Sequence, residues 1–387
     1  MIALEDVYKI VVAMVPLYAA LALGYGSLKW WHMFKPDHCD AINRFNCYFI
    51  MPFFTFEFIS HVNPYKMNYL FLAADVISKA LVGIVLALWA NLSSKGSYDW
   101  SVTCFSLSSL NNTLVVGVPL LKAMYDEMGA NLVIQSSVIQ CLLWFPTLLF
   151  LLEFRRTRSD TSVISTVHEL SSIEMGSNDD IVEERMDSTA SRTPPSFLSL
   201  MKTVWSKLAK NPNSYACFIG IIWALLANRW HLQMPSILEG SILIMSRAGG
   251  GVAMFNMGLF MALQEKVIAS GVRLTLLGMV LRFVVGPISM AIGCFALRLH
   301  IDVFRIAIIG AALPQAIASF VFAQEYGLHS QLLSTAVIFG TTISLPLLIG
   351  YYAILDKFHQ LEFLLSENLR EFLSENLRPQ DLNIIRS

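Results

Sequence analysis

Two apolar segments of the sequence are interrupted at their centres by residues that break or cap helices. Asn111 and Asn112 interrupt the first segment, and Pro314 and Gln315 interrupt the second. Unwound backbone inside a membrane is tolerated only where it lines a cavity or is buried in protein. A helix that begins at such a break directs free N–H groups and the positive end of its dipole into the cavity, which suits a carboxylate. The pattern therefore indicates a binding site for a carboxylate.

The same residues also have a purely structural interpretation, because kinked helices whose amides bond to neighbouring helices are common in membrane bundles. The matching positions of the two breaks in the two halves of the chain favour a binding site. Asn111 and Pro314 are 203 positions apart, and the similar motifs Trp31–Pro36 and Trp230–Pro235 are 199 positions apart. Broken helices at matching places in two halves of a chain mark the binding site of many transporters.

Charged residues within apolar segments are the second candidates for chemistry. Asp75 and Lys79 lie one helical turn apart, so they can neutralise each other. We consider three roles for them: polar support beside the site, a proton-responsive pair, or a structural ion pair. Gln135 and Gln140 can line the cavity or bridge helices. The sequence assigns no partner to five other charged residues in or near apolar segments, which are Arg44, Glu57, Glu239, Arg247 and Arg282.

The composition places these residues in a membrane. Of the 387 residues, 55% are hydrophobic and 14% are charged, whereas an ordinary soluble domain is about a quarter charged. The mean hydropathy is +0.58. The net charge of −1 gives no support for a nucleic-acid partner. The six cysteines form no CxxC pair, and the sequence has no zinc-ligand spacing and no hydrolase motif. We therefore expect no enzyme, no metal and no cofactor.

Ten segments are apolar enough to span a bilayer, which takes about 20 residues. They lie at Val7–Leu28, Cys39–Ile59, Tyr69–Trp89, Ser101–Leu121, Leu132–Leu152, Asn213–Asn228, Ile237–Ala262, Leu274–Leu297, Val303–Ala323 and Leu332–Leu355. We expect an all-α membrane protein with a first five-helix repeat at 1–153, a polar loop at 154–210, a second repeat at 211–355 and a tail at 356–387. Because five is odd, the repeats lie in opposite orientations, as in many transporters.

The polar loop is rich in Ser, Thr and acidic residues, and we expect it to be mobile. Basic residues flank it, so the positive-inside rule places the loop in the cytosol and both termini on the opposite side. After the loop, Asn211 and Pro212 form a helix start, which leaves Asn213 free for another role. The small residues Gly249–Gly251 predict a close contact between helices.

Several longer motifs are similar to those of the plant PIN-FORMED auxin efflux carriers. They are Pro16–Tyr18, Tyr25–Ser27, Trp30–Trp31, Ile42–Phe45, Asn63–Asn68, Asn211–Tyr215, Ala311–Gln315 and Ser334–Gly340. The resemblance extends from Met1 to about Leu355, and the short central loop resembles that of the short-loop, endoplasmic-reticulum subgroup. The resemblance therefore implies a multi-pass protein of the endoplasmic reticulum membrane, with the plasma membrane as the alternative.

The resemblance also implies a fold like that of bile-acid transporters, with ten helices in an inverted repeat and two broken helices that cross. It implies a homodimer in which the first, second, sixth and seventh spans form a scaffold and the others form a moving unit. The implied substrate is indole-3-acetate, carried as its anion by an elevator-like movement that regulates intracellular auxin. The implied substrate-binding residues are Asn111, Asn112, Gln140, Asn213, Pro314 and Gln315, with Asp75 and Lys79 as polar support.

Two features depart from the family pattern. Family members commonly have proline followed by asparagine at the first crossing, whereas this chain has Asn111 and Asn112, so one more backbone N–H needs a partner. The tail contains a near-repeat, Glu362–Arg370 followed by Glu371–Arg378. It predicts either a short amphipathic helix at the membrane surface or a duplication without function.

Two alternative functions stay open. One is a carrier of another organic anion that is coupled to sodium or protons, and the other is a membrane sensor that binds auxin without transporting it. Asp75 is the only acid in its segment and is balanced by Lys79, so the sequence provides no obvious sodium cage there.

Overall fold

The computed structural model describes residues 4–157, 197–264 and 270–376, and within these ranges the chain is helical apart from short connections and one isolated backbone bridge. Six helical stretches in the described ranges are long and apolar enough to cross a membrane. They are Val7–Lys29, Tyr69–Leu92, Thr113–Thr157, Ser236–Leu263, Val272–Ala296 and Ser330–Phe358. The all-α, multi-pass class that the composition predicts is confirmed. Most of the predicted polar loop and the end of the tail lie outside the described residues.

The first half of the chain contains seven helices. They are α1 (Leu4–Lys29), α2 (Pro36–Phe45), α3 (Met51–Ser60), α4 (Tyr69–Leu92), α5 (Tyr98–Ser109), α6 (Val118–Ile139) and α7 (145–157). Wider π-helical turns precede three of them, at Asn46–Ile50 before α3, Thr113–Gly117 before α6 and Gln140–Trp144 before α7. Side-chain caps begin α4 and α5, since Asn68 accepts from the Phe71 N–H and Ser97 from the Trp100 N–H.

The second half contains nine helices in its described residues. They are α8 (Phe197–Lys210), α9 (Pro212–Trp230), α10 (Ser236–Arg247), α11 (Gly249–Leu263), α12 (Val272–Val280), α13 (Gly286–Ala296), α14 (Ile301–Ala311), α15 (Ile317–Glu325) and α16 (Ser330–Asn376). A π-helical turn at Leu281–Val285 joins α12 to α13. Asn211 caps α9 by accepting from the Asn213 N–H at 3.0 Å, so the predicted helix start is confirmed.

The backbone angles of Tyr125 and Asp126 are not helical, and Asp126 has a φ of 53°. This kink in α6 lies between the fourth and fifth apolar segments, Ser101–Leu121 and Leu132–Leu152. The helix of the last span, α16, continues to Asn376 through most of the near-repeat 362–378, for which a helix is one of the two expectations. No glycine or proline stands between Leu355 and Asn376, and Leu, Glu, Lys and Arg are good helix formers, so nothing in the sequence ends the helix between these two residues.

Glycines allow α1 and α11 to pack backbone against backbone. A Cβ atom on Gly258 would lie 2.1 Å from the Leu21 carbonyl oxygen, and one on Gly24 would lie 2.0 Å from the Phe255 carbonyl oxygen. At the other end of α11, a Cβ on Gly249 would lie 2.3 Å from the ring of Phe54. The close contact predicted for the Gly249–Gly251 run is therefore confirmed at its first residue, whereas a Cβ on Gly251 would meet nothing within 4 Å.

We expect Gly258→Ala to destabilise the folded protein by about 1–3 kcal/mol, because the added methyl group must displace backbone rather than a flexible side chain. The unfolding midpoint of the purified protein, measured by tryptophan fluorescence on heating, reports this loss. Gly251→Ala is the matched control on the same helix and should not lower the midpoint, because its Cβ meets nothing within 4 Å and alanine favours the helix. Equal midpoints for the two variants would contradict the packing described here.

Candidate functional site

The two helix breaks lie side by side in the structure. The Asn112 N–H donates to the Pro314 carbonyl at 2.8 Å, and the Ala316 N–H donates to the Leu110 carbonyl at 3.1 Å. Asn111 and Gln315 form the antiparallel bridge between these two bonds. All of this backbone is buried. Each break therefore supplies hydrogen-bond partners for backbone groups of the other break, which are not bonded within a helix of their own segment.

The helices that restart after the breaks begin without side-chain caps. Asn112 precedes the turn Thr113–Gly117 that leads into α6, and Ala316 precedes α15, and neither makes a side-chain bond to the first N–H groups of its helix. The first turn of a helix has N–H groups without partners inside the helix and carries the positive end of its dipole. Two such ends adjoin the paired breaks, which is an arrangement suited to an anion.

Gln140 resolves the departure from the family pattern at Asn111. The Asn111 N–H, which a proline would lack, donates to Gln140 Oε1 at 3.0 Å, and Gln140 Nε2 donates back to the Asn111 carbonyl at 2.7 Å. One amide side chain thus pairs with both backbone groups of the same residue. Gln135, which lies in the same apolar segment, instead accepts from the Asn68 N–H at 2.9 Å and bridges helices.

Two polar atoms at the breaks have no hydrogen-bond partner within the described part of the chain. They are Asn112 Nδ2 and Gln315 Oε1, both buried. The other amide atom of Gln315 is engaged, because its Nε2 donates to the Ser106 carbonyl at 3.0 Å and to Ser319 Oγ at 2.6 Å. A buried polar group without a partner costs about 1–3 kcal/mol. The site therefore presents one unused donor and one unused acceptor.

Asp75 and Lys79 form an ion pair beside the breaks. Lys79 Nζ lies 2.9 Å from Asp75 Oδ1, and both side chains are almost fully buried. The second carboxylate oxygen accepts from Trp144 Nε1 at 3.2 Å. The pair lines a cavity of about 20 Å³ together with Asn111 and Thr113, and that volume accommodates about one water molecule. The predicted pairing is thus present, next to the first break.

Arg282 is the main residue whose role the sequence did not reveal. It is 1% exposed and lies in the π-helical turn between α12 and α13. Its guanidinium donates to the carbonyls of Leu107 and Leu110, to Asn111 Oδ1 and to the carbonyl of Ala311. An arginine in the middle of an apolar segment was the available signal, since such residues seldom lack a function.

The structure brings together five of the six predicted substrate-binding residues. They are Asn111, Asn112, Gln140, Pro314 and Gln315. The sixth, Asn213, accepts from Thr55 Oγ1 at 2.6 Å through its Oδ1, which connects α9 to α3, and its role in substrate binding stays a prediction. Within the described residues, no group of His, Cys, Asp and Glu side chains is arranged to hold a metal ion.

Comparison with known proteins adds a family to this geometry. The chain matches the membrane transport protein family over residues 9–352. It is 58% identical to auxin efflux carrier component 5 of Arabidopsis thaliana over 360 residues. That alignment covers 93% of this chain and 100% of the relative. It is 51% identical to the probable auxin efflux carrier component 5a of rice, over 92% of this chain and 99% of that protein. It is 40% identical to auxin efflux carrier component 8 of Arabidopsis, over 92% and 100%.

Proposed function

This chain belongs to the auxin efflux carrier family of membrane transport proteins, and on that premise we propose that it carries indole-3-acetate, as the carboxylate anion, across a membrane. The family is one of transporters rather than enzymes. The observation that carries the proposal is the meeting of two uncapped helix starts at paired breaks, with an unused amide donor between them. Such a site attracts a carboxylate without a metal ion.

We assign the two unused atoms to the two ends of the substrate. The carboxylate accepts from Asn112 Nδ2 and from the free N–H groups at the starts of the two restarted helices. The indole N–H donates to Gln315 Oε1, which has no other partner in the described residues. A hydrogen bond to a charged group contributes about 1.5–3 kcal/mol, so the carboxylate end supplies most of the polar binding energy.

The movement we propose follows from the size of the cavity. A cavity of about 20 Å³ holds about one water molecule and not an indole ring. Asn112 and Gln315 do not line this cavity, and we propose that the breaks open towards one face of the membrane for the substrate to enter. We propose ten spans in an inverted repeat, with α1, α2–α3, α9 and α10–α11 as scaffold and the remaining spans as an elevator-like moving unit. The close packing of α1 on α11 and of α3 on α9 supports a rigid scaffold.

Asp75 and Lys79 are the polar support of this proposed site. As a pair they carry no net charge, and the bond from Trp144 to Asp75 keeps the carboxylate satisfied in a dry environment. We propose that the protein works as a homodimer in the endoplasmic reticulum membrane and regulates auxin inside the cell. The short central loop, which resembles that of the endoplasmic-reticulum subgroup, supports that location over the plasma membrane.

The proposal is tested by the uptake of radiolabelled indole-3-acetate into proteoliposomes that contain the full chain. We expect saturable uptake that unlabelled indole-3-acetate suppresses and indole-3-ethanol does not, because the alcohol lacks the carboxylate. Uptake should persist without a sodium gradient. Dependence on sodium would instead favour a coupled carrier of another kind, and binding without flux would favour a sensor. Liposomes without protein are the control.

A further inference from the structure

We propose that Arg282 is a positioning residue that holds both helix breaks in one geometry. Its guanidinium donates to Leu110 and Asn111 at the first break and to Ala311, which ends the helix before the second break. The Leu107 carbonyl, in the last turn of α5, is its fourth acceptor. One side chain thus connects two segments that are 172 and 29 residues away from it in the sequence.

The contacts of Arg282 have a common chemical character. The last carbonyls of a helix have no partner inside the helix and carry the negative end of its dipole. Here α5 and α14 both end beside the guanidinium, which has five donors in a rigid planar fork. A cation placed between two negative helix ends offsets both of them. The ammonium of a lysine is a single point charge and cannot reach both ends in this way.

Gly286 gives independent support for this interpretation. It lies one turn after Arg282 at the start of α13. A Cβ atom on Gly286 would lie 2.8 Å from the Ser108 carbonyl and 3.3 Å from the Ala311 carbonyl. The same two helix ends that Arg282 binds therefore press against Gly286. The sequence of α13 permits this close approach, and the approach brings the guanidinium within reach of both breaks.

The consequence concerns the substrate site, and this step rests on the proposed function. Asn112 and Gln315 belong to different breaks, and they bind opposite ends of one substrate only while the breaks keep their spacing. Arg282 lines the cavity beside the first break, and it sets that spacing through its bonds to the backbone of both breaks rather than by binding the substrate. Loss of the guanidinium fork should therefore loosen both breaks together and weaken substrate binding.

The backbone mobility of the two breaks is measured by hydrogen–deuterium exchange of the full-length protein in detergent, which does not depend on transport. In Arg282→Lys we expect backbone amides in both 110–118 and 312–320 to exchange about tenfold faster than in wild type. Arg305→Lys is the matched control, because Arg305 is also buried but binds Asp356 and neither break. Unchanged exchange in either segment would overturn the proposal. Because this result needs no transport, it stands or falls separately from the proposed function.

A second variant covers the case in which Arg282→Lys does not fold. Gly286→Ala keeps the guanidinium but pushes α13 away from both helix ends, so it should also speed exchange in both segments. Gly278→Ala, whose Cβ would make only ordinary contacts at 3.7 Å, is its control. In proteoliposomes, Arg282→Lys should raise the KM for indole-3-acetate about tenfold relative to Arg305→Lys. A purely stabilising role would lower the amount of active protein and leave KM unchanged, and that outcome would contradict the proposal.

Discussion

Replacing Asn112 with alanine is expected to raise the KM for indole-3-acetate about ten- to a hundredfold, since a hydrogen bond to a charged group contributes about 1.5–3 kcal/mol. The folded protein should be as stable as wild type. The lost Nδ2 atom is buried without a partner in the described structure, so its removal leaves no other group unpaired. Uptake by proteoliposomes measures KM, and the unfolding midpoint measures stability.

A raised KM together with an unchanged unfolding midpoint distinguishes a substrate-binding residue from a structural one. The control is Asn91→Ala, because Asn91 is exposed on α4 and its Nδ2 donates only to the Ala87 carbonyl one turn earlier. It should change neither uptake nor stability. Normal uptake by well-folded Asn112→Ala protein would remove the first break from the proposed site, whatever the rest of the chain transports.

Neutralising Asp75 alone should damage the protein more than neutralising both members of its ion pair. Asp75→Asn leaves the buried ammonium of Lys79 without a counter-charge, and breaking a buried pair in this way costs about 3–5 kcal/mol. The double variant Asp75→Asn with Lys79→Met removes both charges and still offers Trp144 an acceptor. We expect the unfolding midpoint to fall in the single variant and to recover in the double variant.

Transport by the double variant decides between the roles considered for this pair. If the pair supports the site, uptake of indole-3-acetate should stay low although the protein is folded. Full uptake by the double variant would show that the pair is only structural. Glu127→Gln, which breaks the exposed pair with Lys122, is the control and should change neither quantity.

The features that sequence predicts well here are those that depend on near neighbours in the chain. The spacing of Asp75 and Lys79 places them on one helix face, and their ion pair is present. Asn111 and Pro314 mark the interruptions because a proline or an amide cap disfavours helix locally. Composition alone is sufficient for the membrane class, since few charges remain for a surface in water.

The features that sequence could not predict depend on distant contacts. The partners of Arg282 come from α5 and α14, and no local pattern connects those helices to the turn that carries it. The hydrogen bond between Asn213 and Thr55 on α3 is another such contact, and the substrate-binding role that the family resemblance gives Asn213 stays a prediction. Hydropathy marks where a span leaves the membrane and not where a helix ends, so it does not predict that α16 runs without interruption to Asn376.

The bond pattern around Asn111 makes the two breaks unequal. A proline fixes its φ angle by a covalent ring, so the break at Pro314 is permanent. The break at Asn111 has no such covalent constraint, and both backbone groups of that residue are held by hydrogen bonds to Gln140. Each of those bonds can be exchanged for a bond to water or to a ligand. The backbone at the first break, in the first half of the chain, can therefore change conformation more readily than the backbone at Pro314 in the second half.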